Sequence, residues 1–168
     1  MFSHIIGYPL KNPRSLKIWS DFFKKKKLNI KMLPLEVRPK FFHKTILALK
    51  KNKNFIGSAI TMPFKEKIVK YIRYGNKLSE SSKSVNLIVK DKKGELIGYN
   101  TDVEGALSSI KRFKINNKII IFGFGGTGKP LFNVLLKKYN NKDFLIISKK
   151  KLEKIKNFKN VNIKKKLS

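Results

Sequence analysis

Short apolar runs alternate with longer amphipathic stretches along the first hundred residues of the chain. Runs rich in β-branched and aromatic residues predict strands, and stretches with apolar residues three or four positions apart predict helices. The predicted strands cover residues 2–6, 28–37, 55–61, 85–89 and 95–98, and the predicted helices cover 15–26, 41–50 and 63–71. This alternation predicts an α/β domain with a largely parallel sheet.

Cap and turn residues mark the ends of several predicted elements. Ser15 is placed to cap the first helix, and Asp102 is placed to cap a helix containing Val103 and Ile110. The polar turn 91–94 ends in a glycine that supplies a positive φ, so it joins its two flanking strands in a hairpin.

A second pattern begins after the polar segment 114–117. The continuous apolar run 119–122 is typical of a buried parallel strand, and a glycine-rich loop follows it. Beyond the loop, a helix and two further strands are predicted at 131–139, 144–147 and 161–163. We therefore expect an N-terminal α/β domain at 1–113 and an incomplete Rossmann-type dinucleotide-binding domain at 114–168.

Net charge changes the range of functions to consider. The chain has 40 lysine and arginine residues against 10 acidic ones, a formal net charge of +30. Such an excess suggests a nucleic-acid or membrane-surface partner. However, lysine is spread through the whole chain, and only four basic residues are arginine, the side chain that clamps phosphates and bases bidentately. We expect non-specific polyanion binding as a side effect, and a basic nucleic-acid-binding protein stays an alternative function.

Composition also limits the chemistry and the location. Cysteine is absent, and no ligand cluster surrounds His4 or His43, so neither a disulfide nor a metal site is expected. The chain does not begin as a signal peptide does, and no stretch approaches the roughly 20 apolar residues of a membrane span. We expect a cytoplasmic protein with no membrane partner.

Three side chains suited to a hydroxylated substrate lie near the ends of predicted strands: Lys65, Asn86 and Asp102. An ammonium at Lys65 can exchange a proton with a substrate hydroxyl or carbonyl. A nearby carboxylate would favour the charged ammonium, whereas burial would oppose it. Taken singly, Lys65 is one of many lysines, and local evidence alone favours Asp102 as an ordinary helix cap.

The glycine-rich loop has the context of a dinucleotide fingerprint. Gly123, Gly125 and Gly128 follow an apolar strand and precede a helix, with Gly126 and Thr127 between them. Glycines at these positions let the backbone approach a pyrophosphate at the N-terminus of the helix. The loop therefore predicts a dinucleotide site.

Residues beyond the loop bear on the type of nucleotide. The loop is also close to the P-loop of nucleoside triphosphatases, but Pro130 stands where a hydroxyl must reach Mg²⁺, so the dinucleotide interpretation ranks first. After the strand at 144–147 come Ser148, Lys149 and Lys150, where an NAD-selective fold has an acid. Cations there suit the 2′-phosphate of NADP, although a solvated lysine run explains them equally well.

Five motifs agree in order and spacing with one known family. They are Gly7-x-Pro9, Thr61-x-Pro63-Phe64-Lys65-Glu66, Val85-Asn86, Gly98-x-Asn100-Thr101-Asp102 and Gly123-x-Gly125-Gly126. On these residues the chain resembles the shikimate dehydrogenase family from residue 7 to about residue 163. The resemblance implies NADPH-dependent reduction of 3-dehydroshikimate to shikimate, in chorismate and aromatic amino-acid biosynthesis.

The resemblance also implies roles for individual residues. Lys65 would be the catalytic acid and base, with Asp102 beside it. Thr61, Asn86 and Asp102 would hold the substrate hydroxyls, and Ser15 would hold the carboxylate. The implied NADP-binding residues are Gly123, Gly125, Gly126, Thr127, Gly128, Ser148, Lys149 and Lys150. The chain departs from the family at Pro13, where a serine is expected, and at Ala59, where an asparagine is expected.

The resemblance further implies that the nicotinamide half of the cofactor domain lies beyond this chain. Three hypotheses follow from the sequence. The chain is a working dehydrogenase, completed by self-association or by another chain. Alternatively, it is a truncated relative that binds shikimate without turnover, or a nucleic-acid binder that uses its charge.

Overall fold

The computed structural model describes residues 1–113, 118–139 and 142–148, and the backbone of 161–165. The chain divides into two compact units, Met1–Thr101 and Asp102–Ser168. This division lies in the first turn of the helix that begins at Thr101, whereas the sequence places the domain boundary after residue 113. The difference arises because apolar residues of that helix, Leu107 and Ile110, pack with the core of the second unit. The domain limits 1–113 and 114–168 stay predictions.

The first unit contains six strands and three α-helices. The strands are β1 Phe2–Gly7, β2 Lys31–Glu36, β3 Phe55–Ile60, β4 Arg73–Tyr74, β5 Leu87–Lys90 and β6 Leu96–Tyr99. The helices are α1 Ser15–Lys25, α2 Phe42–Lys51 and α3 Lys77–Ser82, with short 3₁₀ helices at Pro39–Phe41 and Lys67–Tyr71. The predicted alternation of strands and helices is confirmed.

The sheet of the first unit is largely parallel, as expected, with one strand reversed. Its strand order is β2-β1-β3-β5-β6-β4. β1 is parallel to β2 and β3, and β4 is parallel to β6, but β5 is antiparallel to both of its neighbours. The predicted hairpin accounts for this reversal. Its tight turn has Gly94 at φ +85°, and the Asp91 carboxylate accepts hydrogen bonds from the backbone N–H groups of Lys93 and Glu95.

Helices cover both faces of this sheet, because successive residues of a strand point to opposite sides. Ile6 and Ile60 lie in one apolar cluster with residues of α2, while Ile5 lies in another with Phe23 of α1. In the first cluster Phe64 is fully buried and stacks on Phe42, with ring centroids 4.1 Å apart. Each cluster therefore joins one helix to one face of the sheet.

The second unit contains parallel strands in the order β7-β8-β9, with a helix before them and a helix after the first strand. Its elements are α4 Thr101–Ile110, β7 Lys118–Phe122, α5 Gly128–Lys138, β8 Asp143–Ser148 and β9 Val161–Lys165. α4 begins at the last residue of the first unit. Phe132, Phe144 and Ile146 form the centre of its core. The strands predicted at 119–122, 144–147 and 161–163 are confirmed.

Local details differ from the predictions at three places. Ser15 is the first residue of α1 rather than its cap, and Arg14 precedes it without a side-chain capping bond. Asp102 is the second residue of α4, because the helix begins at Thr101. The helix predicted at 63–71 is only a 3₁₀ helix at Lys67–Tyr71.

None of the helices in the described residues is both long and apolar enough to cross a membrane.

Candidate functional site

The polar segments singled out in the sequence meet at one edge of the first sheet. β1 and β3 run parallel and end at Gly7 and Ile60, so the segment beginning at Thr61 lies at their carboxyl edge. β5 is antiparallel to β3, so Asn86, just before its first residue, lies at the same edge. β6 returns to this edge and ends just before Asn100. We call this side of the sheet the polar edge.

The segment that carries Thr61 is fixed against the end of β1. The backbone N–H of Thr61 donates to the carbonyl of Ile6 at 2.8 Å, and that of Tyr8 donates to the carbonyl of Met62 at 2.9 Å. A side chain at Gly7 would collide with Cγ2 of Thr61, so the glycine permits this close approach. The Gly7-x-Pro9 motif thus has a structural reason to accompany Thr61.

Lys65 is positioned by a hydrogen bond to its backbone carbonyl and by the burial of the preceding residue, Phe64. The carbonyl of Lys65 accepts a hydrogen bond from the N–H of Val85 at 2.8 Å, which ties the Thr61–Glu66 motif to the Val85-Asn86 motif. Because the carbonyl is used in this way and Phe64 must be buried, the chain here turns instead of forming the predicted helix. The Lys65 side chain itself is half-buried.

Asn86 links two of the predicted site segments by paired side-chain hydrogen bonds. Its Nδ2 donates to Oγ1 of Thr101 at 2.8 Å, and its Oδ1 accepts from the backbone N–H of Thr101 at 2.8 Å. Its own backbone donates to the carbonyl of Tyr99 at 3.0 Å and accepts from the N–H of Ile60 at 2.8 Å. Asn86 therefore positions the backbone immediately before Asp102, a role that its type and spacing did not predict.

A buried polar network behind the polar edge was missed by the sequence analysis. Asn100 is buried, and its Nδ2 donates to the carbonyl of Ser84 at 2.9 Å and to Oγ of Ser82 at 3.2 Å. The backbone N–H of Asn100 donates to Oγ of Ser79 at 2.9 Å, and Ser79 in turn donates to Oδ1 of Asn76 at 2.8 Å. A run of serines between two strands was the available signal, because hydroxyls often satisfy buried backbone groups.

Asp102 and Ser15 both lie in the first turns of helices. Asp102 is half-buried in the first turn of α4, where a carboxylate is favoured by the dipole of the helix. Ser15 is half-exposed at the first position of α1, the helix that follows the carboxyl end of β1. Ser15 therefore follows in the chain the end of β1 that reaches the polar edge. The predicted role of its hydroxyl stays a prediction.

In the second unit the glycine loop connects β7 to α5 through a glycine with positive φ. Gly123 has φ +87°, and its N–H donates to the carbonyl of Ile147 at 2.8 Å. A side chain at Gly128 would collide with the carbonyl of Gly123, whereas one at Gly125 would have open space around it. Gly126 and Thr127 complete the loop before α5 begins.

This geometry fits the pyrophosphate of a dinucleotide. The loop lies at the carboxyl end of a parallel strand and opens an α-helix at Gly128. Pro130 is buried in the first turn of that helix, where backbone N–H groups have no intrahelical acceptor, so proline's lack of an N–H removes no hydrogen bond. The predicted 2′-phosphate contacts begin at Ser148, the buried last residue of β8, while Lys149 and Lys150 lie outside the described residues.

Comparison with known proteins supports one family. A family model described as the shikimate dehydrogenase substrate binding domain matches residues 5–88, half of the chain. The NADP(+) shikimate dehydrogenase of Carboxydothermus hydrogenoformans is 38% identical over 135 residues, which cover 79% of this chain and 48% of that protein. The enzyme of the same name from Pyrococcus furiosus is 32% identical over 161 residues, covering 95% of this chain and 57% of that protein.

Solved structures agree with these relatives. Shikimate dehydrogenase from Thermotoga maritima superposes with a TM-score of 0.77 at 25% identity, covering 98% of this chain and 62% of that one. A shikimate dehydrogenase in complex with NADP+ superposes with a TM-score of 0.74 at 27% identity, covering 88% of this chain and 51% of that one. The chain spans about half the length of the curated relatives it matches.

Proposed function

The chain belongs to the shikimate dehydrogenase family, and on that premise we propose that it binds shikimate and 3-dehydroshikimate and takes part in their NADP-linked interconversion. The observation that carries the proposal is the polar edge, where hydrogen bonds between backbone and side chains hold the Thr61, Asn86 and Thr101 segments together. The family match to the substrate-binding domain covers the first two of these segments.

The polar edge offers groups that match a ring carrying several hydroxyls. We propose that Thr61, Asn86 and Asp102 hold the hydroxyls and that Ser15 holds the carboxylate. Pro13 replaces a hydroxyl donor that the family resemblance leads one to expect, so carboxylate binding rests more heavily on Ser15. Hydroxyls and amides both donate and accept hydrogen bonds, which suits the mixed donors and acceptors of a polyol.

Lys65 is the residue proposed to move the proton. As the ketone of 3-dehydroshikimate is reduced, its oxygen gains negative charge, and a positioned ammonium both stabilises that charge and supplies the proton. In the reverse direction the neutral amine takes the proton back. Asp102 is proposed as the second catalytic group, since a carboxylate favours the charged form of a neighbouring ammonium.

NADP is the proposed cofactor, and it supplies the hydride when bound. Gly123, Gly125, Gly126, Thr127 and Gly128 would hold its pyrophosphate, because a side chain at Gly128 has no room and α5 begins there. Ser148, Lys149 and Lys150 are proposed to receive the 2′-phosphate. Hydride transfer needs the reacting carbons about 3–3.5 Å apart.

Two measurements on the full 168-residue chain test these proposals. Calorimetry with shikimate should show binding to the unsubstituted protein that is lost or at least tenfold weaker in Lys65→Ala and Asp102→Asn. Lys67→Ala is the matched control, because Lys67 is exposed two positions away and has no proposed role. Binding that is equal in all four proteins, or absent from all of them, would refute the substrate site.

An NADP-linked assay at increasing protein concentration tests turnover separately. Activity that rises more steeply than concentration would indicate that self-association contributes to the active species, and size-exclusion chromatography should then show the larger species. Shikimate binding without turnover at any concentration would leave a substrate-binding relative and would contradict the proposed dehydrogenase activity.

A further inference from the structure

Lysines concentrate at the edge of the first sheet opposite the polar edge, as a result of the order of its elements. α1 ends at Lys25 before the chain enters β2, and α2 ends at Lys51 before it enters β3. The turn between β5 and β6 also lies at this end, because those strands run antiparallel and start or finish at the polar edge. Three basic segments, far apart in sequence, therefore share one side of the sheet.

We call this side the basic edge and define it by Lys24–Lys27, Lys51, Lys53, Lys90, Lys92 and Lys93. All of them are exposed except Lys90, which is half-buried and donates from Nζ to the carbonyl of Asn52 at 2.9 Å. Lys53, Lys90, Lys92 and Lys93 line one open depression of about 490 Å³. The depression gives these charges a common surface on which a bound anion can lie.

Two acidic side chains near the basic edge, those of Asp91 and Glu95, already bond to other groups. The Asp91 carboxylate accepts from the backbone N–H groups of Lys93 at 2.9 Å and Glu95 at 2.8 Å. The Glu95 carboxylate forms an ion pair with Lys50 at 2.8 Å. The positive charge of the basic edge therefore exceeds what these two acids balance.

Local structure explains only part of this charge. Lysines in the last turns of α1 and α2 are favoured by the helix dipoles, which accounts for Lys24, Lys25 and Lys51. It does not account for Lys53, Lys92 or Lys93, which lie outside helices and beside the depression.

We propose that the basic edge binds the phosphate backbone of nucleic acid without reading its sequence. Lysine ammonium groups are point charges that contact phosphates well, whereas base recognition relies on planar, bidentate side chains such as arginine. Insertion of the depression into a membrane would require exposed apolar side chains among its lysines, and Phe22 and Leu28, which flank Lys24–Lys27, are exposed but do not line it. Among the described residues, those lining the depression include none of the large exposed hydrophobic side chains. This inference does not depend on the proposed dehydrogenase function.

Two variants with equal loss of charge test the proposal. The edge variant carries Lys51→Gln, Lys53→Gln, Lys92→Gln and Lys93→Gln. The control variant carries Lys11→Gln, Lys40→Gln, Lys44→Gln and Lys70→Gln, which are also exposed residues of the first unit. Both should melt at the temperature of the unsubstituted protein, because none of these eight side chains is buried.

Fluorescence anisotropy with a labelled duplex of random sequence, in a salt series from about 50 to 200 mM, gives the binding constant and its salt dependence. Each phosphate contact contributes about 0.9 to the slope of log K against log salt. The magnitude of this slope should fall by up to about 3.6 in the edge variant and by less than about 1 in the control variant.

Three results would overturn the proposal. They are equal losses in the two variants, no binding of the unsubstituted protein at about 50 mM salt, and tighter binding to anionic phospholipid vesicles that depends on the same four lysines. The last result would assign the basic edge to a membrane surface instead.

Discussion

The two units hold their polar loops in different ways. In the first unit, the polar edge depends on specific side chains and on hydrogen bonds between segments, such as the pair between Asn86 and Thr101. In the second unit, the glycine loop depends on the absence of side chains, at a positive φ for Gly123 and a crowded position for Gly128. Truncating side chains should therefore damage the first site, whereas adding them should damage the second.

The largest expected effect is the loss of the aromatic stack that anchors Lys65. Phe64→Ala removes a fully buried ring that stacks on Phe42 and should lower the free energy of unfolding by about 3–5 kcal/mol. Urea unfolding followed by the fluorescence of Trp19, the only tryptophan in the chain, reports on the first unit. Ile18→Ala is the control, because Ile18 is 67% exposed and its loss should change stability by less than about 0.5 kcal/mol. Similar small changes in both variants would show that the stack does not anchor this edge.

The second unit should respond to an added methyl group at only one of two glycines in the loop. Gly128→Ala places a Cβ against the carbonyl of Gly123 and should destabilise the unit by about 1–3 kcal/mol. Gly125→Ala adds the same methyl group where no atom lies within 4 Å, so its effect should be small. Thermal unfolding followed by circular dichroism measures both. Equal melting temperatures for the two variants would contradict a crowded Gly128.

A smaller effect is expected for the bridge between Asn86 and Thr101. Asn86→Ala and Thr101→Val each remove hydrogen bonds at an exposed edge, and each bond contributes about 0.5–1.5 kcal/mol. A double-mutant cycle on urea unfolding should give a coupling free energy within that range. Simple additivity of the two single changes would mean that the bridge does not join the segments in solution.

The smallest expected effect is a pH dependence from His4 in β1. Burial lowers the pKa of His4 below 6.5, while a hydrogen bond to the carbonyl of Leu33 raises it by a smaller amount. The unfolded chain therefore binds the proton more tightly than the folded chain, so stability should fall as pH drops through about 6.5 and below.

Denaturant unfolding at pH 7.5 and pH 5.5 measures this effect. His4→Gln should reduce the loss of stability at the lower pH, and His43→Gln serves as the control because His43 is exposed. An unchanged pH dependence in His4→Gln would assign the effect to other groups.

The fold was predictable where hydrophobic periodicity is strong. The buried strand predicted at 55–61 is observed at Phe55–Ile60, and the helix predicted at 41–50 is observed at Phe42–Lys51. The short elements β4 and α3 were missed, because two to six residues carry too little periodicity to be distinguished from a loop. The helix predicted at 63–71 failed because its periodicity reflects the burial of Phe64 and Ile68 in a turn and a 3₁₀ helix.

For the candidate site, the sequence indicated which segments to consider but not how they are joined, and the roles of the individual residues stay predictions. Motif order indicated the family and the residues Thr61, Lys65 and Asn86, and the structure places the two segments that carry them at one edge. The sequence did not reveal that Asn86 bonds to Thr101, since such a contact depends on strand register across the hairpin. The buried serines behind Asn100 were likewise invisible, because serine occurs in loops and in cores alike.

The length of the central strands determines how far substitutions at one edge of the sheet affect the other edge. β3 has six residues, and a strand rises about 3.3 Å per residue, so the polar edge and the basic edge are separated by roughly 20 Å of buried sheet. That distance is about twice the Debye length at ordinary salt, so charges at one edge are largely screened from the other. Substitution of lysines at the basic edge should therefore leave the electrostatic potential at the polar edge nearly unchanged. The two surfaces can thus change independently during evolution.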